Sequence, residues 1–288
     1  MKLIASLKYL IKLFKQKAKD VGCFQTLRLS AVYAADNIIS FFFTIAGYLA
    51  FLVRPRSHSS LHQRIEILRR FFMIHRSIHC AHQEIELLFI ADEILSIPAV
   101  VDGDIIECGV YKGGSTCKLS IVAKVAGRQV IACDSFQGLP EPRDFDAIHI
   151  CRNGKKYVFE EGDWLGTVEE VRSNLKCYGE PNLVSIVPGW FYETLPNLRH
   201  RKFACIFIDV DLYDSIICCL QNLWPGLQVG CKLFMHEADC ELTIKALTDC
   251  NFWETNFGII PPKFNGAERG LRPSMRQLGY IEKSSFKE

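Results

Sequence analysis

From Asp104 to Lys283, short apolar runs rich in Ile, Val and Cys alternate with longer stretches of helical periodicity. Asp104–Val110, Gln129–Cys133, Leu183–Val187, Phe203–Asp209, Cys231–Met235 and Gln277–Lys283 read as strands, and residues 115–126, 167–178, 213–224 and 242–250 as helices. Strands that are apolar on both faces need cover on both faces, which only a mostly parallel sheet wrapped by helices provides. The chain therefore reads as a doubly wound α/β protein. Such sheets bind ligands at the carboxyl ends of their strands, so the polar residues found there carry the functional argument.

The first strand runs into Glu107-Cys108-Gly109-Val110-Tyr111-Lys112-Gly113-Gly114-Ser115. Its glycines let the backbone approach a ligand, and the helix that follows offers free amides. The spacing G-x-x-x-G-G departs from the G-x-G-x-x-G dinucleotide fingerprint, which argues against an NAD-dependent oxidoreductase. The second strand ends at Asp134-Ser135, where a carboxylate can accept from ribose hydroxyls. Two later strands end in Asp209-Val210-Asp211 and in His236-Glu237, with Asp239 close behind. If these strands are neighbours, Asp209, His236 and Glu237 converge, and a divalent cation is the economical way to compensate them. Asp211 and Asp239 also suit helix N-caps. His75, His79 and His82 fall in a charged helical stretch, Leu61–Ile97, and read as solvated or interfacial.

Charge separates the N-terminal quarter from the rest. Residues 1–70 carry 12 Lys/Arg against Asp20, Asp36 and Glu66, while the whole chain is only +2. That balance removes the footprint of a general nucleic-acid binder. Leu3, Ile4, Leu7, Leu10, Ile11 and Phe14 lie on one helical face, with lysines largely elsewhere; the lysines interrupt the apolar run, so a secretory signal is not expected. Residues 38–53 are uncharged, somewhat short of the ~20 residues that span a bilayer. Two readings stay open for residues 1–56: helices that pack on the main domain or on a second subunit of a homo-oligomer, or a basic anchor on an anionic membrane surface. Residues 1–60 are accordingly an extension, and 61–288 the main domain. Thirteen scattered cysteines without a C-x-x-C pair read as small buried hydrophobes in a reducing, cytoplasmic setting.

The glycine turn, then Asp134-Ser135-Phe136-Gln137-Gly138-Leu139-Pro140, Gly189-Trp190-Phe191-Tyr192-Glu193-Thr194-Leu195-Pro196 and Asp209-Val210-Asp211-Leu212-Tyr213-Asp214-Ser215 resemble, in order, the conserved blocks of the macrocin O-methyltransferase (TylF-like) family. The resemblance covers roughly residues 61–283 and implies a Rossmann-like class I methyltransferase with a seven-stranded sheet. It further implies S-adenosylmethionine (SAM) as methyl donor, with Glu107, Gly109, Tyr111, Gly113 and Ser115 at its methionine end and Asp134 and Ser135 on its ribose. A divalent ion, Mg2+ or another such as Mn2+, would sit on Asp209, His236 and Glu237, with Asp209 as catalytic base. The family pattern has two adjacent aspartates where this chain has His236-Glu237, and imidazole suits transition metals better than magnesium.

The implied reaction is methylation of a sugar hydroxyl on a glycosylated natural product or on a surface or lipid-linked glycan. Two rivals from other classes are a metal-dependent glycosyltransferase using Asp209-Val210-Asp211 with a nucleotide sugar, and a non-catalytic protein that retains the fold.

Overall fold

A computed structural model of the 288-residue chain describes residues 39–54, 58–151 and 156–284. The chain divides into two units, Met1–Ala46 and Gly47–Glu288. In the first, the described residues 39–46 are helical. The amphipathic helix expected over residues 3–19 lies outside the described residues. No helix among the described residues is long and apolar enough to cross a membrane.

In the second unit residues 47–53 are helical. Phe51 is buried, its carbonyl accepts from Arg64, and Arg54 bridges Asp92 at 2.6 Å and Glu93 at 2.9 Å. Residues 47–54, placed in the extension by their composition, thus pack within the main unit. The stretch Leu61–Ile97 is not one helix but two, α1 (Leu61–Ser77) and α2 (Glu84–Ser96). Ile78 turns extended, and Gln83 with Glu86 forms a capping box that starts α2 afresh. The break sends residues 78–83 across the sheet as irregular chain.

The main sheet contains β1 (Asp104–Cys108), β2 (Val130–Asp134), β5 (Val184–Pro188), β6 (Phe203–Ile208), β7 (Leu227–Met235) and β8 (Gly279–Glu282), in the order β5-β2-β1-β6-β7-β8. Five strands run parallel and β8 closes the edge antiparallel to β7. All six strands read from the sequence are present, and among the described residues the main sheet has no seventh, which the resemblance implies. After the helices α7 (Glu241–Thr248) and α8 (Cys250–Phe257), residues 258–278 form turns and isolated bridges instead; Pro261, Pro262 and Pro273 remove ladder donors there.

Alternation along each strand assigns the two faces. Ile105 belongs to one buried cluster with Ile67, Phe71, Leu88 and Leu119, whereas Ile106 belongs to the other with Cys219, Leu233 and Trp253. Cys108, Cys133, Cys205, Cys219 and Cys231 are buried in this core, as expected, whereas Cys177 and Cys250 are exposed. The long loop after β2 holds a feature the sequence reading omitted, a small hairpin of β3 (Ile148–Ile150) and β4 (Lys156–Val158). The helices α3 (Gly114–Ala126), α4 (Val168–Tyr178), α5 (Phe191–Thr194) and α6 (Tyr213–Leu223) complete the cover.

Candidate active site

Strand register builds the site. Cys108 of β1 pairs with Cys133 of β2 and with Ile208 of β6, and Ile208 pairs with Met235 of β7. The next residue on each strand therefore falls in one row at the carboxyl edge: Asp134, Gly109, Asp209 and His236. Main-chain bonds fasten the row, Gly109 N–H to Cys133 O at 3.0 Å, Asp209 N–H to Cys108 O at 2.9 Å and His236 N–H to Ile208 O at 3.0 Å. A cavity of about 350 Å3 opens above it, walled further by Tyr111, Trp164 and Trp190.

The glycine turn is shaped by close approach. Gly109 has φ +91°, and a Cβ added there would run into the carbonyl oxygen of Asp209. Gly113, at φ +78°, caps α3, and Ser115 in the first turn of α3 reaches the cavity wall. Asp134 holds the turn: its Oδ2 accepts from the amides of Val110 at 2.7 Å and Tyr111 at 3.1 Å, and its Oδ1 from Phe136 at 2.7 Å. Ser135 closes the following loop, accepting from Gln137 N–H and donating to Gly138 O. Both side chains line the cavity, yet each already serves the backbone.

Glu107 and Gly113 do not line the cavity. The Glu107 carboxyl is wholly buried beneath the turn and accepts from Thr116 Oγ1 at 2.5 Å. Burial pushes it up to about 8, so it holds a proton at neutral pH.

Asp209 sits between two imidazoles. His236 Nδ1 is 3.0 Å from its Oδ1, and His82 Nε2 is 2.7 Å from its Oδ2. Burial opposes ionisation, but His236 and His82 hold the carboxyl well below the usual carboxylate range. His82 is thus buried in the site rather than solvated, because the break after α1 carries residues 78–83 over the strand ends. His79 lines the same cavity.

Asp211 and Glu237 both adopt left-handed backbone, at φ +57° and +58°, and both line the cavity. Burial and the neighbouring Asp209 push Asp211 up to about 7; burial, Asp211 and Asp209 push Glu237 well above the carboxylate range. Neither Asp211 nor Asp239 caps a helix. The amide of Tyr213 at the start of α6 is taken instead by Asp146, at 2.8 and 3.0 Å, and α7 starts from Cys240.

This arrangement fits a divalent ion. Ligand atoms of His82, Asp209 and His236 lie within 4.8 Å of one another. Glu237 is not part of that trio, whose third member is His82. Two imidazoles and a carboxylate suit a borderline transition metal better than magnesium.

Residues 90–249 match the family described as Macrocin-O-methyltransferase (TylF). The chain belongs to this family. It is 37% identical over 166 residues to the 8-demethyl-8-(2,3-dimethoxy-alpha-L-rhamnosyl)-tetracenomycin-C 4'-O-methyltransferase of Streptomyces olivaceus, covering 56% of this chain and 62% of that protein. It is 35% identical over 135 residues to the demethyldecarbamoylnovobiocin O-methyltransferase of Streptomyces niveus, covering 45% of this chain and 50% of that protein. The chain therefore spans about half to three fifths of the length of these relatives. Its fold is that of the O-methyltransferase NovP, at a TM-score of 0.56 and 22% identity over 85% of this chain and 100% of that one. Within the TylF family match fall the whole row from Gly109 to His236 and the aromatic wall at Trp190; His82 and residues 1–89 lie outside it.

Proposed function

We propose that the protein transfers a methyl group from SAM to a sugar hydroxyl of a glycosylated natural product or of a surface or lipid-linked glycan. The observation that carries this reading is the row Asp134, Gly109, Asp209, His236 beneath a cavity of ligand size, in a chain of the TylF family. The named relatives support the acceptor class, since the one from Streptomyces olivaceus acts on a rhamnosyl tetracenomycin.

When bound, SAM would supply a methyl group activated by its sulfonium. The chain's own residues bind, orient and exclude water. Gly109 and the amides at the start of α3 cradle the methionine end, with Ser115 beside them. Asp134 uses three of its roughly four lone-pair sites to hold the turn, which leaves capacity for a ribose hydroxyl. Tyr111, Trp164 and Trp190 keep the reacting atoms dry, and confinement supplies the proximity that a methyl transfer needs.

Asp209, His236 and His82 would hold the divalent ion, whose contribution is to lower the pKa of an acceptor hydroxyl. The sequence reading made Asp209 the base. With both oxygens engaged by imidazoles, Asp209 is better suited to fixing those rings. Asp211, two residues on in the same cavity wall, is then the carboxylate placed to take up the acceptor's proton.

Residues 1–46, rich in lysine, would bring the enzyme to an anionic, cytoplasmic membrane face and so to lipid-linked acceptors. Incubation with methyl-labelled SAM and a panel of rhamnosylated acceptors tests the reaction: label should appear as a sugar O-methyl ether. Label transfer from a nucleotide sugar instead would favour the glycosyltransferase rival.

A further inference from the structure

Outside the row at the strand ends lies a second group of ligand-bearing side chains. His149 on β3, Cys151 just beyond it, and Glu237, Asp239 and Cys240 after β7 are all more than nine-tenths buried. Ligand atoms of His149, Glu237 and Cys240 lie within 4.8 Å of one another, and so do those of Cys151, Asp239 and Cys240. An antiparallel bridge between Cys151 and Cys240 fixes the spacing. Residues 149 and 151, two apart on extended chain, face the same side.

His149 is poised as a ligand. Its Nε2 is 2.8 Å from Asp146 Oδ1, and Asp146 is itself anchored by the Tyr213 amide. A carboxylate only accepts, so Nε2 carries the proton and Nδ1 presents a bare lone pair. That Nδ1 is fully buried, has no hydrogen-bond partner and stands 4.0 Å from Glu237 Oε2. A buried acceptor without a donor is costly, and a carboxylate fixing the far nitrogen is how proteins orient a metal-binding imidazole.

We propose that this group binds one Zn2+ through His149 Nδ1, Glu237, Cys240 Sγ and Cys151 Sγ. Imidazole, thiolate and carboxylate together select zinc over magnesium or calcium. Tetrahedral zinc places such donors roughly 3.4–3.8 Å apart, against at most 4.8 Å within each of the two trios, which share Cys240. Binding releases the two thiol protons and the proton held by the buried Glu237 carboxyl to solvent. The ion ties the β3–β4 hairpin to the end of β7, and since Tyr157 on β4 and Glu237 both line the cavity, it fixes one cavity wall. This site is independent of the methyl-transfer reading and draws Glu237 away from Asp209.

The test uses the full chain loaded with Co2+ in place of zinc. The expected spectrum has an intense thiolate-to-cobalt charge-transfer band, retained in Asp209→Asn, abolished in Cys240→Ser and reduced by about half in Cys151→Ser. Metal analysis of zinc-loaded protein should show one ion fewer in Cys240→Ser than in wild type. Wild-type protein that binds cobalt without any thiolate band, or in which Cys151 and Cys240 are joined as a disulfide under reducing purification, overturns the proposal without recourse to a variant.

Discussion

His82 Nε2 lies 2.7 Å from Asp209 Oδ2, although the imidazole arrives on the irregular segment between α1 and α2 and the carboxylate on the end of β6. With His236 on the other oxygen, the three side chains act as one unit. Asp209→Asn and His82→Ala should each lower methyl transfer by about 100-fold or more, with SAM affinity held within about threefold. The double variant should be little slower than Asp209→Asn alone, because groups that act together are not additive. Initial rates at saturating SAM, with calorimetric titration of each variant, check both statements; additive losses would separate His82 from the unit.

The glycine turn makes a sharper structural prediction. Gly109→Ala combines an unfavourable φ of +91° with a collision against the main chain at Asp209, and should cost about 2–4 kcal/mol. Gly127→Ala at the end of α3, also at positive φ but facing open space, should cost only about 1–2 kcal/mol. Urea unfolding of the two variants measures the difference, and equal losses would contradict the close approach of β1 and β6.

Much of this fold is legible along the chain, because mostly apolar strands alternate with helices in the period of a doubly wound sheet. Asp134, Gly109, Asp209 and His236 come from that same pattern: Asp134 ends its strand, the other three each stand one residue past theirs, and parallel pairing in register aligns them. What the chain hides is convergence from irregular segments. His82 sits in a six-residue break inside an apparently continuous helix, and the loop after β2 supplies both the α6 cap at Asp146 and the buried His149. Asp211 looks like a cap by position and becomes a cavity residue only because Asp146 takes that role.

Glu107 gives a pH signature. Its carboxyl, raised by burial to about 8 from an ordinary 4.5, keeps a proton in the folded protein that the unfolded chain releases. The stability from this group is therefore complete below about pH 4.5 and is lost as pH rises toward 8, at no more than about 1.4 kcal/mol per pH unit. Glu107→Gln should flatten that decline and be the more stable protein near pH 8. Denaturant unfolding across this range checks it; parallel profiles for the two proteins would remove Glu107 as the source.

Metal removal addresses the trio of His82, Asp209 and His236. Exhaustive chelation should abolish methyl transfer, and Mn2+ should restore it at a concentration about tenfold or more below that needed for Mg2+, as nitrogen donors favour the transition metal. Rates that are unchanged after chelation would assign charge stabilisation to the imidazole pair itself.

Calorimetric titration of the purified full chain with SAM bears on the central claim most directly. The account predicts saturable binding of one SAM per chain, competed by S-adenosylhomocysteine and weakened about tenfold or more in Asp134→Ala, where the glycine turn loses its carboxylate anchor. A folded chain that takes up no SAM, or takes it up equally well without Asp134, contradicts it.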